Sequence, residues 1–388
     1  MVFVPLFVLF LGTARTQLPY HIDAATNVFA AWTIGTTGSP ILEDHAELAD
    51  PSYRAVFAWV VPSPRGPVSQ YPPGTALLAA PLYAAWWSDA PELTLVSENA
   101  DASTTVRAPI PSFVPAAIIA AATTAAAMGL VALLGRTWAS RPVAGLVGLV
   151  GGTATSAWSV AGDALWQHGP AMLWVSLGVY LASQDRWLGS GLAFGALVLT
   201  RPPVVLVGVA LGVMLLIRQR PAPAGRMLVG AMPGVIALLA YNRWLFGTSS
   251  VAGGYGSVFS DRLIASDFNA YLSNISDALI DPAFGLFVWS PFVALLLVGV
   301  VGASRSAPDW VTASAVGGVL YLLLQLKLNR ASGGAGFSYY RYPLEALVAS
   351  APILHLAWVR LWRMNTTARI GLLLTTGFSV VVHAMAAV

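Results

Sequence analysis

Long apolar runs separated by short arginine-bearing turns govern what this chain can become. About eleven stretches are apolar for close to the 20 residues that a membrane-crossing helix needs: roughly 1–13, 113–135, 142–161, 169–183, 187–200, 203–217, 227–245, 284–303, 311–328, 343–361 and 368–387. Read as spans, they sort the charges by side. With the N-terminus placed in the cytoplasm, the inner turns hold Arg136, Arg141, Arg186, Arg218, Arg220, Arg226, Arg305, Arg360, Arg363 and Arg369, opposed only by Asp185 and Asp309. The other acids fall on the opposite face. Positive residues are retained on the cytoplasmic side during insertion, so this orientation satisfies the rule that the reverse would break at every loop.

Composition agrees with that reading. The chain is 57% hydrophobic and 10% charged, with a mean hydropathy of +0.71, too little polar surface to cover a soluble core of 388 residues. It has no cysteine, which excludes disulfides, thiolate metal sites and a cysteine nucleophile. A net charge of +3, divided among many loops, gives no basis for nucleic-acid binding. The expected fold is therefore an all-α polytopic membrane protein of about eleven spans, located in the cell membrane. In the first segment, 1–13, a cleaved signal peptide is the alternative reading. That segment lacks a basic n-region, and Ala14-Arg15-Thr16 is a poor cleavage site.

The same topology assigns the non-helical sequence to the outer face. It comprises a first loop over 14–112, a middle loop over 246–283 and a segment over 329–342, while 113–388 forms the rest of the bundle. Long loops gathered on one side mark where a chain does its work. Within the first loop, Tyr71-Pro-Pro-Gly74 opens an apolar stretch ending at Trp86-Trp87. It is too short to span without inverting every later loop, and reads as an interfacial or half-inserted helix.

Several charged residues are not needed for insertion. Asp23 directly follows the first apolar segment, where a carboxylate suits a general base for an incoming hydroxyl; the alternative is an N-cap for a helix over 24–34. Asp163 and His168 lie in Gly162-Asp-Ala-Leu-Trp-Gln-His-Gly-Pro170, at the outer end of one span and the start of the next. Ionisable groups at membrane depth usually face a polar cavity, although a boundary turn anchored by Trp166 would use the same residues. Asp44 and Asp163 are the alternative bases. Arg201, Arg243, Lys327, Arg330 and Arg341 violate the charge rule by sitting at outer helix ends. Together they make a candidate surface for a phosphate headgroup, which arginine grips through paired N–H donors; lipid snorkelling or pairing with nearby aspartates is the alternative.

Between Arg330 and Arg341, a glycine-rich stretch leads to Tyr339 and Tyr340, which suit stacking on a sugar face. The acid cluster Glu43-Asp-His-Ala-Glu47 is the one candidate holder of a divalent cation, but such spacing is common on solvated loops, and no metal ligand is assigned. No nucleotide-binding GxxxxGK[ST] loop and no HExxH motif occurs.

The acidic residue after a first helix, the Tyr71-Pro-Pro-Gly-Thr75 opening, the Ala164-Leu-Trp-Gln-His-Gly-Pro170 turn and Gly285-Leu-Phe-Val-Trp-Ser-Pro291 together resemble the polytopic, lipid-linked C-type glycosyltransferases (GT-C). The nearest branch is similar to the bacterial relatives of protein mannosyltransferases and lipid A aminoarabinose transferases. The resemblance implies a sugar taken from a polyprenyl phosphate on the outer face and passed to a hydroxyl, with Asp23 as the base. A lipid or glycan flippase without covalent chemistry is the competing expectation. Such transporters show internal repeats with broken helices at matching positions, and no convincing repeat is found here.

Overall fold

The computed structural model describes residues 2–17, 21–42, 59–99, 102–265, 267–333 and 337–388. Each apolar run of the sequence folds as helix, but not each as one uninterrupted helix. In chain order the helices are α1 (Phe3–Thr13), α2 (Ile22–Thr37), α3 (Gly74–Trp86), α4 (Val114–Gly135), α5 (Arg141–Thr153), α6 (His168–Ser183), α7 (Trp187–Thr200), α8 (Leu206–Ile217), α9 (Pro221–Phe246), α10 (Val258–Ala265), α11 (Phe268–Ile280), α12 (Pro291–Ser304), α13 (Asp309–Leu328), α14 (Leu344–Met364) and α15 (Thr366–Ala387). Five of these, α4, α9, α13, α14 and α15, are long and apolar enough to cross a membrane; α1, α7, α8 and α12 are apolar but shorter.

Three of the expected runs are interrupted. The stretch 142–161 ends as α-helix at Thr153 and resumes as a π-helical turn, Ala157–Ala161. The stretch 203–217 begins with a 3-10 turn at Pro202–Val205, because paired prolines supply no N–H for a first α-turn. The stretch 284–303 is a single turn, Leu286–Trp289, then a break at Ser290 before Pro291 opens α12. The region 14–112 also holds more than short helices. Two antiparallel hairpins, β1 (Val60–Ser63) with β2 (Gly66–Ser69) and β3 (Glu92–Asn99) with β4 (Ala102–Pro109), flank α3.

Small residues let the helices approach closely where an apolar solvent would give no reason to exclude side chains. Gly191 and Gly195 on α7 face Gly230 and Gly234 on α9, and a Cβ on Gly234 would lie 2.1 Å from the Gly195 carbonyl oxygen. The two four-residue glycine spacings are thus the seam of that helix pair. On the other side of the bundle, Leu6 and Phe10 of α1 fill the notches at Gly152 and Gly162. A second core under α2 and α3, built from Val28, Phe29, Ala79 and Tyr83, fixes the region that carries Asp23. Asn27 reinforces it by donating to the Leu165 carbonyl at 3.0 Å, which ties α2 to the turn before α6.

Candidate functional site

The first, middle and third non-helical segments meet at one end of the bundle. Gly254 of the middle segment packs directly on Gln70, where a Cβ would come within 2.6 Å of the Gln70 Cα. Tyr255 beside it sets its ring 6.1 Å from that of Tyr71. Asn274 donates to the Asn329 carbonyl at 2.8 Å, joining the middle segment to the third. At the start of α3, Gly74 presses on the last turn of α7, and a Cβ there would lie 2.6 Å from the Leu199 carbonyl oxygen. The Pro-Pro-Gly turn therefore brings Tyr71 to the end of α7, from which Arg201 emerges.

Asp23 lies in the first turn of α2 and does not cap it. The N-cap position is His21, whose side chain makes no capping bond, and the Asp23 carboxylate is used elsewhere. Arg341 Nη1 donates to Asp23 Oδ2 at 2.6 Å, and the Trp59 indole N–H donates to Oδ1. The carboxylate is 23% exposed, while the Arg341 side chain is 8% exposed. The Arg341 guanidinium is enclosed by rings, 4.8 Å from the centre of Trp166, 4.9 Å from Phe337 and 5.0 Å from Tyr342. Such faces favour a cation without consuming its donors. Burial alone would lower the Arg341 pKa, but Tyr342 and then Asp23 outweigh it, so the guanidinium is held more firmly charged than usual. Burial, followed by the charge of Asp23, pushes the Tyr71 phenol well above its ordinary value, which keeps it protonated as a donor.

Next to this pair lies a second cluster, which joins two expected residues, His168 and Arg201, to an acid that sequence reasoning missed. Glu345, fully buried in the first turn of α14, accepts from Tyr321 at 3.0 Å and pairs with His168 Nδ1 at 2.9 Å and Arg201 Nε at 3.4 Å. Arg201 and Arg341 flank one ring: the Arg201 guanidinium lies 5.8 Å from the centre of Tyr342. A lone acid inside an otherwise apolar run was the available signal, since an intramembrane carboxylate is costly unless it has partners.

The other expected residues separate. Arg243 is exposed and donates to the Gly247 carbonyl at the end of its own helix, Arg330 is exposed, and Lys327 sits 5.4 Å from the Tyr271 ring. The five cations are thus not one surface: Arg201 and Arg341 converge on Tyr342, and Arg243, Lys327 and Arg330 lie apart from them. Tyr340 is buried, with its hydroxyl 2.7 Å from Ser290 Oγ, and presents no face for a sugar, while the half-buried Tyr339 has one face stacked on Trp289 at 3.9 Å. Phe337 and Tyr342 take the places beside the arginine. Asp163 is buried between Arg15 at 3.3 Å and His21 at 3.6 Å. Asp44 and the cluster at 43–47 lie outside the described residues, among which no group of three or more His, Asp and Glu side chains is arranged to hold a metal.

Five buried N–H donors at this end have no acceptor among the described residues: Arg201 Nε, Arg341 Nε, Trp166 Nε1, Gln167 Nε2 and Trp289 Nε1. An unmade hydrogen bond on a buried donor costs about 1–3 kcal/mol, so such atoms collect where a ligand or water completes them. With two arginines nearby, the arrangement suits an anion with several oxygens. No protein-family model and no curated protein matches this chain.

Proposed function

We propose that this protein is a multi-pass membrane enzyme of about eleven crossings, with a cytoplasmic N-terminus, that transfers a sugar from a polyprenyl-phosphate donor to a hydroxyl acceptor at its outer face. The acceptor class is a cell-envelope glycan, lipid or protein. The observation that carries the reading is a carboxylate, Asp23, paired at 2.6 Å with an arginine whose remaining Nε donor is buried and unused. A candidate base and a candidate phosphate-binding group thus stand side by side, where the three non-helical segments meet.

In the transfer, the acceptor oxygen attacks the anomeric carbon and its proton passes to Asp23. The bond from that carbon to the phosphate oxygen breaks, and its electron pair leaves with the polyprenyl phosphate. Arg341 links the two events. As Asp23 becomes neutral, it stops competing for the guanidinium, while the leaving phosphate gains negative charge and binds it more strongly. Arg201 adds positive potential from behind Tyr342, although Glu345 already neutralises part of it. The apolar helix Gly74–Trp86, with Leu77 and Trp86 exposed, offers a surface for the prenyl tail. Clustering of the ionisable groups at one end of the bundle, instead of along a path through it, favours transfer over transport.

The test is sugar transfer from radiolabelled polyprenyl-phosphate sugars in membranes containing the wild type, Asp23→Asn or Arg341→Ala. Loss of transfer in Asp23→Asn with donor binding retained supports the assignment. Unchanged transfer removes Asp23 as the base, and no transfer by the wild type with any of several donor sugars removes the reading.

A further inference from the structure

Away from Asp23, an apolar cleft, open along one side, lies between α4, α5, α6, α12 and α14. On α14 its lining runs from Leu344 to Trp358, roughly 21 Å at the helical rise, which is most of the depth of a hydrocarbon layer. Two lining side chains are polar. Thr155 is satisfied, donating to the Gly151 carbonyl at 2.6 Å. His355 is not: it is 3% exposed, and neither ring nitrogen has a hydrogen-bond partner.

The place of His355 says what it lacks. Its ring lies 6.3 Å from that of Trp138, which stacks on Trp310 at 5.7 Å. It also packs against Gly135, the last residue of α4. The turn over it carries Arg136 and leads to Arg141, both exposed. Tryptophans beside arginines mark the level where headgroups begin. The unpartnered histidine therefore sits at the arginine-rich end of a groove walled almost wholly by apolar side chains. The phosphate of the proposed sugar donor belongs at the other end, beyond Leu344, where Arg341 lies. A lipid whose polar group meets His355 must enter from the arginine-rich side.

We infer that this cleft is a binding site for an anionic glycerophospholipid of the inner leaflet. One acyl chain fills the groove, an ester or phosphate oxygen accepts from His355, and Arg136 and Arg141 hold the headgroup charge. The inference rests on the membrane reading but not on sugar transfer.

The experiment uses the full chain in nanodiscs, without sugar donor, and a phosphatidylglycerol carrying a photoreactive group on one acyl chain. Labelled peptides should map to Val147, Leu347 or Leu354, not to the outward-facing Leu297 and Val298. Filling the cleft with Ala351→Trp, or more gently with Leu347→Phe, should remove the label while leaving monodispersity intact. His355→Leu should weaken competition by unlabelled phosphatidylglycerol about tenfold, the equivalent of one hydrogen bond to a charged group. Even labelling of cleft and outward residues, or equal competition by phosphatidylcholine, would overturn the site. Displacement by polyprenyl phosphate but not by phosphatidylglycerol would overturn it too, by giving the cleft to the donor's tail.

Discussion

Two charged clusters sit side by side at one end of this bundle, and they are built differently. Around Glu345 the partners close in: His168, Arg201 and Tyr321 converge on a carboxylate that solvent does not reach, and only Arg201 Nε keeps an unmade hydrogen bond among these four side chains. Around Asp23 the bonding is open: the carboxylate is partly exposed, and Arg341, Trp166 and Gln167 keep unused donors. The first arrangement resists change, because removing any member strands a buried charge. The second can exchange partners at little cost. Burial alone would rank Glu345 as the more interesting acid, whereas partial exposure beside several unused donors ranks Asp23 first.

Substitutions can break this contrast. The largest effect is expected from Asp23→Asn, which should reduce transfer about 10²–10⁴-fold, the usual contribution of a general base, with the protein still folded; steady-state assays alongside thermal unfolding in detergent check both halves. Glu345→Ala should do the reverse, costing about 3–5 kcal/mol of stability by leaving Arg201 without its counter-charge, visible as a lowered unfolding midpoint or lost expression. If instead Glu345→Ala folds normally, the buried cluster is not a frame. Gly74→Ala should cost about 1–3 kcal/mol, since the new methyl meets the backbone of Leu199 and the start of α3 must retreat from α7. A smaller loss, about 1 kcal/mol of stability, is expected for Tyr340→Phe, whose hydroxyl meets Ser290 Oγ and the Ser156 N–H. Transfer by Tyr340→Phe should be nearly unchanged, because the ring does not face the Arg341 pocket. A large drop in turnover without a shift in midpoint would return Tyr340 to the site.

The positions of Gly74 and Arg341 illustrate how unevenly the chain could be read. The Tyr71-Pro-Pro-Gly stretch announced a helix start, and α3 begins there; that the glycine serves contact with α7 was not visible in the stretch itself. Arg341 stood out as a cation on the wrong side of a charge pattern, and so did Arg243, yet only Arg341 turns inward. Charge at an outer helix end is equally compatible with snorkelling and with a site. Glu345 was passed over because it lies within an apolar run that was read as a whole, where its single charge was the clue. The direction of the Tyr339 and Tyr340 rings was not legible either: Tyr339 adopts a left-handed conformation, φ 69°, and the two rings turn toward Trp289 and Ser290.

By itself the sequence determined the apolar helical runs and the sorting of arginine toward one set of turns. Each depends on residues a few positions apart, through helical hydrogen bonds and the burial of apolar faces. Only the tertiary structure decided which charges meet. Asp23 and Arg341 are 318 residues apart along the chain, and Glu345 is 177 from His168. Ion pairs act over a few ångströms. Whether two such groups pair therefore depends on how three distant segments close over the end of the bundle, and no local pattern encodes that closure.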